Sequence, residues 1–158
     1  MFYGGFAPKE DKSADDNSKT AQVVAVSEET PQFKNIFMNQ ILCVGAENGL
    51  ILQGLPEMSI KGIELKNSTI TANTGVSIYD AENIKIENTK IIANSGIPFN
   101  ITNSKNIVFD SVKSGESETY FSIEGSNSSD ITIKGEGAEK LGAKAKLVSG
   151  VSQNSIKI

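Results

Sequence analysis

The stretch Glu82-Asn83-Ile84-Lys85-Ile86-Glu87-Asn88-Thr89-Lys90-Ile91-Ile92-Ala93-Asn94-Ser95-Gly96 is the unit from which the rest of the chain is built. Ile84 and Ile86 alternate with Lys85 and Glu87, the period of two that a half-buried strand shows and a helix does not. Asn88 follows where the chain must bend. The short apolar run Ile91 to Ala93 comes next, and Asn94-Ser95-Gly96 makes a second bend from residues that tolerate unusual backbone angles. Strand, corner, strand, corner describes a coil.

The pattern recurs. Ile36 and Met38 precede Gln40, Cys43 and Gly49; Ile63 and Leu65 precede Asn67, Ile70 and Gly75. Ile107 and Phe109 come before Ser111, Ile131 and Ile133 before Gly135, and Ile156 with Ile158 close the series. The first apolar residues fall at 36, 63, 84, 107, 131 and 156, so the gaps by subtraction are 27, 21, 23, 24 and 25 residues. A drifting period of that size marks a solenoid. Each copy carries a second apolar segment: Leu50 to Leu52, Val76 with Ile78, Ile97 to Ile101, Tyr120 to Ile123, and Ala145 to Val148. Two or three short strands fit each coil.

Leucine-rich repeats share the period, but their consensus needs several leucines and a helical return segment per repeat. This chain favours isoleucine, threonine, asparagine and serine, which suit strands and corners. The expected fold is therefore all-β, a parallel β-helix of about five to six coils, with coils stacked about 4.8 Å apart and like residues in columns. Ile36, Ile63, Ile84 and Ile107 form one inward column, Cys43 joins Ile70 and Ile91 in another, and Asn67 and Asn88 stack at a corner where their amides bond from coil to coil. Outward, Glu64 lies beside Lys85 and Lys66 beside Glu87 in the same register. Cys43, the single cysteine, forms no intrachain disulfide and is expected to be a plain buried thiol.

The coils occupy residues 32–158. Residues 1–31 read as a polar loop or tail, with Val23-Val24-Ala25-Val26 as the apolar element from which a cap could form. Gly54 to Met58 is an excursion that widens the first gap, and Ser114 to Thr119 and Gly135 to Gly142 read as polar loops.

A net charge of −4 and the absence of arginine argue against nucleic acid, whose phosphates need a clustered basic surface. No apolar run approaches the length that spans a bilayer, and Met1 to Gly5 lacks the basic start and apolar core of a signal peptide. Without histidine, Ser-His-Asp and Cys-His arrangements and histidine metal sites are excluded, and there is no phosphate-cradling glycine loop. No cofactor is expected. Carboxylates alone remain for acid–base work. Asp15-Asp16 reads as a solvated pair in the polar segment. Glu87 and Asp110 stack on adjacent coils close enough to perturb one another, but Lys66 and Lys134 flank them, which reads as charge compensation on a wet surface. The Asn-x-Ser/Thr triplets at Asn67, Asn100 and Asn127 are what this composition produces by chance.

Several segments together resemble a known family. Met1-Phe2-Tyr3-Gly4-Gly5, a polar insertion, Thr30-Pro31-Gln32-Phe33-Lys34-Asn35-Ile36, Gly54-Leu55-Pro56-Glu57 and then Asn-Ile coils look like the C-terminal part of polygalacturonase-like enzymes, the family 28 glycoside hydrolases. The similarity covers about residues 1–113. It implies a right-handed parallel β-helix, inverting hydrolysis of galacturonic-acid-containing pectin, and a periplasmic or extracellular location. That family's Asn-x-Asp, Asp-Asp, Gly-His-Gly and Arg-x-Lys motifs belong to coils preceding this part. None can be placed here, so no catalytic residue is assigned. Family members carry a substrate-contacting tyrosine downstream of the Arg-x-Lys strand, and Tyr3 is the residue near that place.

Three functions follow as expectations. The first is a structural C-terminal coil stack of a pectin-degrading glycosidase, inactive alone and touching the polysaccharide through its parent enzyme. The second is a stand-alone carbohydrate-binding or adhesion β-helix, which would need outward aromatic rings, with Phe37 and Tyr79 as candidates. The third is a hydrolase using Glu87 and Asp110. If the first coil ends the stack, its edge is expected to self-associate end to end or to be covered by the segment containing Val23 to Val26.

Overall fold

The computed structural model describes residues 30–148 and 150–158. The chain winds as a parallel β-helix of about five turns. The first turn holds β1 (Lys34–Asn39) and β2 (Leu42–Gln53), and the second β3 (Ile60–Lys66) and β4 (Thr69–Tyr79). The third holds β5 (Ala81–Glu87), β6 (Lys90–Ala93) and β7 (Phe99–Thr102); the fourth β8 (Lys105–Asp110), β9 (Lys113–Ser114) and β10 (Phe121–Glu124). The fifth runs through β11 (Ser129–Lys134), helix α1 (Ala138–Gly142) and β12 (Ala145–Leu147), and β13 (Ile156–Lys157) starts a further turn.

One sheet stacks β1, β3, β5, β8, β11 and β13. The second begins as one surface on β2 and β4 and then divides, because β4 pairs with β6 through its first half and with β7 through its second. The insertion Asn94 to Pro98 causes the split. The coil consequently has three faces.

The isoleucine column forms as expected: Ile36, Ile63, Ile84, Ile107, Ile131 and Ile156 are successive register partners. Beside it run Met38, Leu65, Ile86, Phe109 and Ile133. Across the core stand Leu50, Val76, Phe99, Phe121 and Ala145, and Leu52, Ile78, Ile101, Ile123 and Leu147. Phe99, Phe109 and Phe121 make a cluster with centroids 4.7 to 5.2 Å apart. These rings fill the interior of the third and fourth turns where a branched aliphatic would leave space.

The corners follow from backbone sterics. Gln40, Asn67, Asn88, Ser111 and Gly135 each take a left-handed φ at the turn out of the first sheet. Asp80, Asn103 and Gly125 do the same at the turn into it. Asn, Asp and Gly visit this region at least cost, so the corner columns carry them. The side chains then tie coil to coil: Asn67 Nδ2 donates to Asn39 Oδ1 at 2.9 Å and Asn88 Nδ2 to Asn67 Oδ1 at 2.8 Å. Buried hydroxyls serve the next position. Ser104 Oγ accepts from the Ala81 amide at 3.0 Å and donates to the Thr102 carbonyl at 2.8 Å. Ser68 stands likewise between the Ile41 amide and the Lys66 carbonyl. Each satisfies backbone groups that a corner takes out of the ladder.

Two expectations need correction. Gly135 to Gly142 is not wholly a loop: Ala138–Gly142 is helical, with Ala138 and Leu141 buried against the core. Alanine, glutamate, lysine and leucine favour a helix locally, and one turn of helix can cover the interior where a strand stands in earlier coils. Cys43 does align with Ile70 and Ile91, but it is half-buried, because it belongs to the first described coil and no described strand lies over it. The tail or cap expected for residues 1–31, including Val23 to Val26, lies outside the described residues except at its end.

The two ends differ. In the first coil the outer edges of β1 and β2, which pair with no strand among the described residues, are accompanied by apolar residues that point outward, with Phe37 70%, Leu42 74% and Val44 74% exposed. Their register partners in the second coil are Glu64, Thr69 and Thr71. At the other end strands shrink to two and three residues, and α1 and a 3₁₀ turn at Gln153–Ser155 pack against β11. That end tapers.

Candidate functional site

The carboxylate pair Glu87 and Asp110 is assembled as the register requires, on neighbouring strands β5 and β8. Both point outward and are only partly covered. Asp110 is bridged by Lys134 Nζ at 3.4 Å. Glu87 lies 2.7 Å from Lys85 Nζ and 3.5 Å from Lys66 Nζ, and Lys66 in turn lies 2.8 Å from Glu64. The Lys85 ammonium, by its hydrogen bond and then its charge, holds the Glu87 carboxyl below the usual carboxylate range, with Lys66 adding to it. A general acid needs the opposite shift. The pair is therefore an ion-paired surface, suited to fixing register. The expected partnership of Glu64 with Lys85 holds in register, but the ion pairs run Glu64–Lys66–Glu87–Lys85, within strands as well as between them.

Asp80 shows the opposite shift. It occupies the left-handed corner before β5, and burial raises its carboxyl above the ordinary value, with the Glu57 charge adding to the effect. It lines a shallow polar groove of about 350 Å³ between the Pro56 to Ser59 excursion and the Ser126 to Ser129 turn, with Asn103 and Lys105 in its floor. No sequence pattern announced Asp80, since a lone aspartate at a bend is ordinary turn chemistry.

A second polar groove, of about 280 Å³, follows the corner between the first and second faces. Asn67, Asn88 and Ser111 supply its corner side, and Ser68, Thr69, Thr89, Lys90 and Lys113 the other. Lys90 and Lys113 are direct register partners on β6 and β9. Among the described residues no carboxylate lines this groove.

Of the two candidate rings, Phe37 projects from β1 and Tyr79, 36% exposed, from the end of β4 in the other sheet. They form no shared platform. Tyr3 and Asp15-Asp16 lie outside the described residues. Among the described residues no three His, Cys, Asp or Glu side chains are grouped to hold a metal ion, and no helix is long and apolar enough to cross a membrane. Compared with known protein families, with curated proteins and with solved structures, the chain matches none.

Proposed function

We propose that the chain forms the closing, non-catalytic coils of a longer β-helix that degrades pectin-type polysaccharide, its hydrolytic aspartates residing on coils stacked against β1 and β2. The observation that carries this is the asymmetry of the ends. The inward columns run to Ile36, Met38, Cys43 and Leu50, and the outward residues beside them are also apolar, whereas at the far end the strands shorten and α1 takes the place of one of them. A strand edge with apolar flanks is what a further parallel coil would cover. The Phe-Lys-Asn-Ile and Gly-Leu-Pro-Glu segments support the glycosidase assignment by resemblance, and the ion-paired state of Glu87 and Asp110 supports the absence of catalysis from these coils. The alternative, a stand-alone carbohydrate-binding or surface-adhesion β-helix, has no row of outward rings among the described residues to favour it.

The test is the genomic reading frame upstream of Met1. The expected result is an open frame encoding Gly-His-Gly and Arg-x-Lys segments ahead of Met-Phe-Tyr-Gly-Gly. An upstream frame without them, or cleavage of polygalacturonate by the purified chain itself, would overturn the assignment.

A further inference from the structure

The outward residues of the first coil differ in kind from those of the second. Phe37, Val44 and Ile51 each stand at the centre of one face, and their register partners are Glu64, Thr71 and Ser77. All three apolar side chains are half exposed or more. They are also evenly spaced, each seven residues from the next, whereas Glu64, Thr71 and Ser77 are seven and then six apart. The extra residue is Gly45, a bulge in β2 with no register partner on β4.

A coil climbs by one strand spacing, about 4.8 Å, as it passes round its three faces. The end of the stack is therefore a ramp, with β1 highest, the first half of β2 lower, and Leu50 to Gln53 lowest. Two such ramps fit one another under a two-fold axis through the middle face. The high β1 of each then rests over the low third-face part of the other, and all three faces meet at one strand spacing. Head-to-tail stacking has no such fit. β13 already lies on the first face, one coil beyond α1 and β12, and a second copy begins on that same face with β1. A gap of one coil would remain over α1 and β12.

The edge is also open to pairing. Natural edges are commonly blocked by prolines or inward charges. Between Lys34 and Gln53 there is no proline, and the charged residues are Lys34 and Glu47, both exposed.

We infer that in the 158-residue chain this edge is an interface for a second copy of the chain, in a closed head-to-head dimer whose two-fold axis passes beside Val44. Strands meet antiparallel across it. Val44 faces the partner's Val44, and Phe37 faces the partner's Ile51. Inside, Ile36 and Met38 continue onto the partner's Leu52 and Leu50, so the apolar columns run unbroken from one chain into the other. The equal spacing lets these pairs form together, and neither Lys34 nor Glu47 meets its own copy. An isologous contact consumes the edge on both chains, so assembly stops at two. In a longer polypeptide the preceding coils would hold this edge; the inference concerns the chain that starts at Met1 and does not rest on the parent assignment.

The experiment measures the mass of the full chain by analytical ultracentrifugation and maps the contact with cysteines placed in a Cys43→Ala background. The expected mass is twice the 16.8 kDa of one chain, with no larger species. On mild oxidation Val44→Cys should give a covalent dimer, because that position faces itself across the axis. Phe37→Cys alone should not, and Phe37→Cys combined with Ile51→Cys should, since facing positions of an antiparallel pair lie within disulfide reach. Val108→Cys, on β8 within the stack, is the control that should give no covalent dimer. A monomeric wild-type chain, species beyond the dimer, or a Val44→Cys chain that dimerises without cross-linking would overturn the inference. The upstream reading frame does not alter these masses, so the interface and the parent assignment can fail separately.

Discussion

Phe99 in the third turn lies almost parallel to Phe121 in the fourth, with centroids 4.7 Å apart and ring planes at 16°, and Phe109 meets both edge-on at 5.2 and 5.0 Å. All three rings are fully buried. Phe121 is therefore a shared wall of two coils. Phe121→Ala removes a stacked and an edge contact together and leaves a cavity that the strands on either side cannot close. The expected loss is about 3 to 5 kcal/mol by urea unfolding, and Phe121→Leu should restore much of it. A loss below about 1 kcal/mol would mean that the ring cluster is loosely packed.

Gly75 sits where β4 turns from the second face to the third, under the carbonyl of Pro98 in the next coil, which accepts the Val76 amide at 2.7 Å. A methyl group at Gly75 would overlap that carbonyl oxygen. Gly75→Ala must push β7 away from β4, and overpacking of this kind costs about 1 to 3 kcal/mol. Gly96→Ala makes the control: there a methyl group would enter open space, but its φ of 74° is strained for any side chain, so only a smaller, local cost is expected. Equal losses from the two would refute the overlap.

Two carboxyls move stability with pH in opposite senses. Glu82 is held below the ordinary value by a hydrogen bond from Lys61, then by the charges of Lys61 and Lys105. Its folded pKa is below its unfolded one, about 4.3, so its contribution is present above that pH and is lost as pH falls through the folded value. Asp80 is raised by burial, so its ionisation works against the fold once pH exceeds its unfolded value of about 3.9. Asp80→Asn keeps a residue suited to the left-handed corner and removes the charge. Melting curves at neutral pH should show it stabilised by about 0.5 kcal/mol, while Glu82→Gln flattens the acid side of the wild-type profile. A destabilised Asp80→Asn would show that the carboxylate has a partner worth more than its desolvation.

The first coil should not remain bare in the chain taken alone. Phe37, Leu42, Val44 and Ile51 point outward from β1 and β2 beside an edge that no described strand pairs. Light scattering should show end-to-end self-association, and Val44→Lys should return the chain to monomer. A wild-type monomer with protected amides at Val23 to Val26 would identify that segment as the cover instead. A monomer with neither feature would contradict the exposed edge.

The amino-acid order was sufficient for the winding. Alternating isoleucines at Ile63, Ile84 and Ile107 separated by Asn67 and Asn88 leave few folds that bury every apolar residue and give every corner a tolerant backbone. A period-two strand and a recurring left-handed corner are local properties, and the opposite-charge register of Lys66 with Glu87 follows once the coil period is read. Helix α1 was not legible, because the four residues between Gly137 and Gly142 carry no periodicity; packing of Ala138 and Leu141 onto the core decides it. The half-exposed thiol of Cys43 depends on what lies over its coil, which the residues around it do not record. The lysine groove was equally hidden. Lys90 and Lys113 stand far apart in the chain, and only the pairing of β6 with β9 makes them neighbours, while the ion partners that neutralise other lysines come from strands on a different face. Local patterning set the path of the chain; which charges remain unpaired on its surface is a long-range property, because it depends on which strands the coils bring side by side.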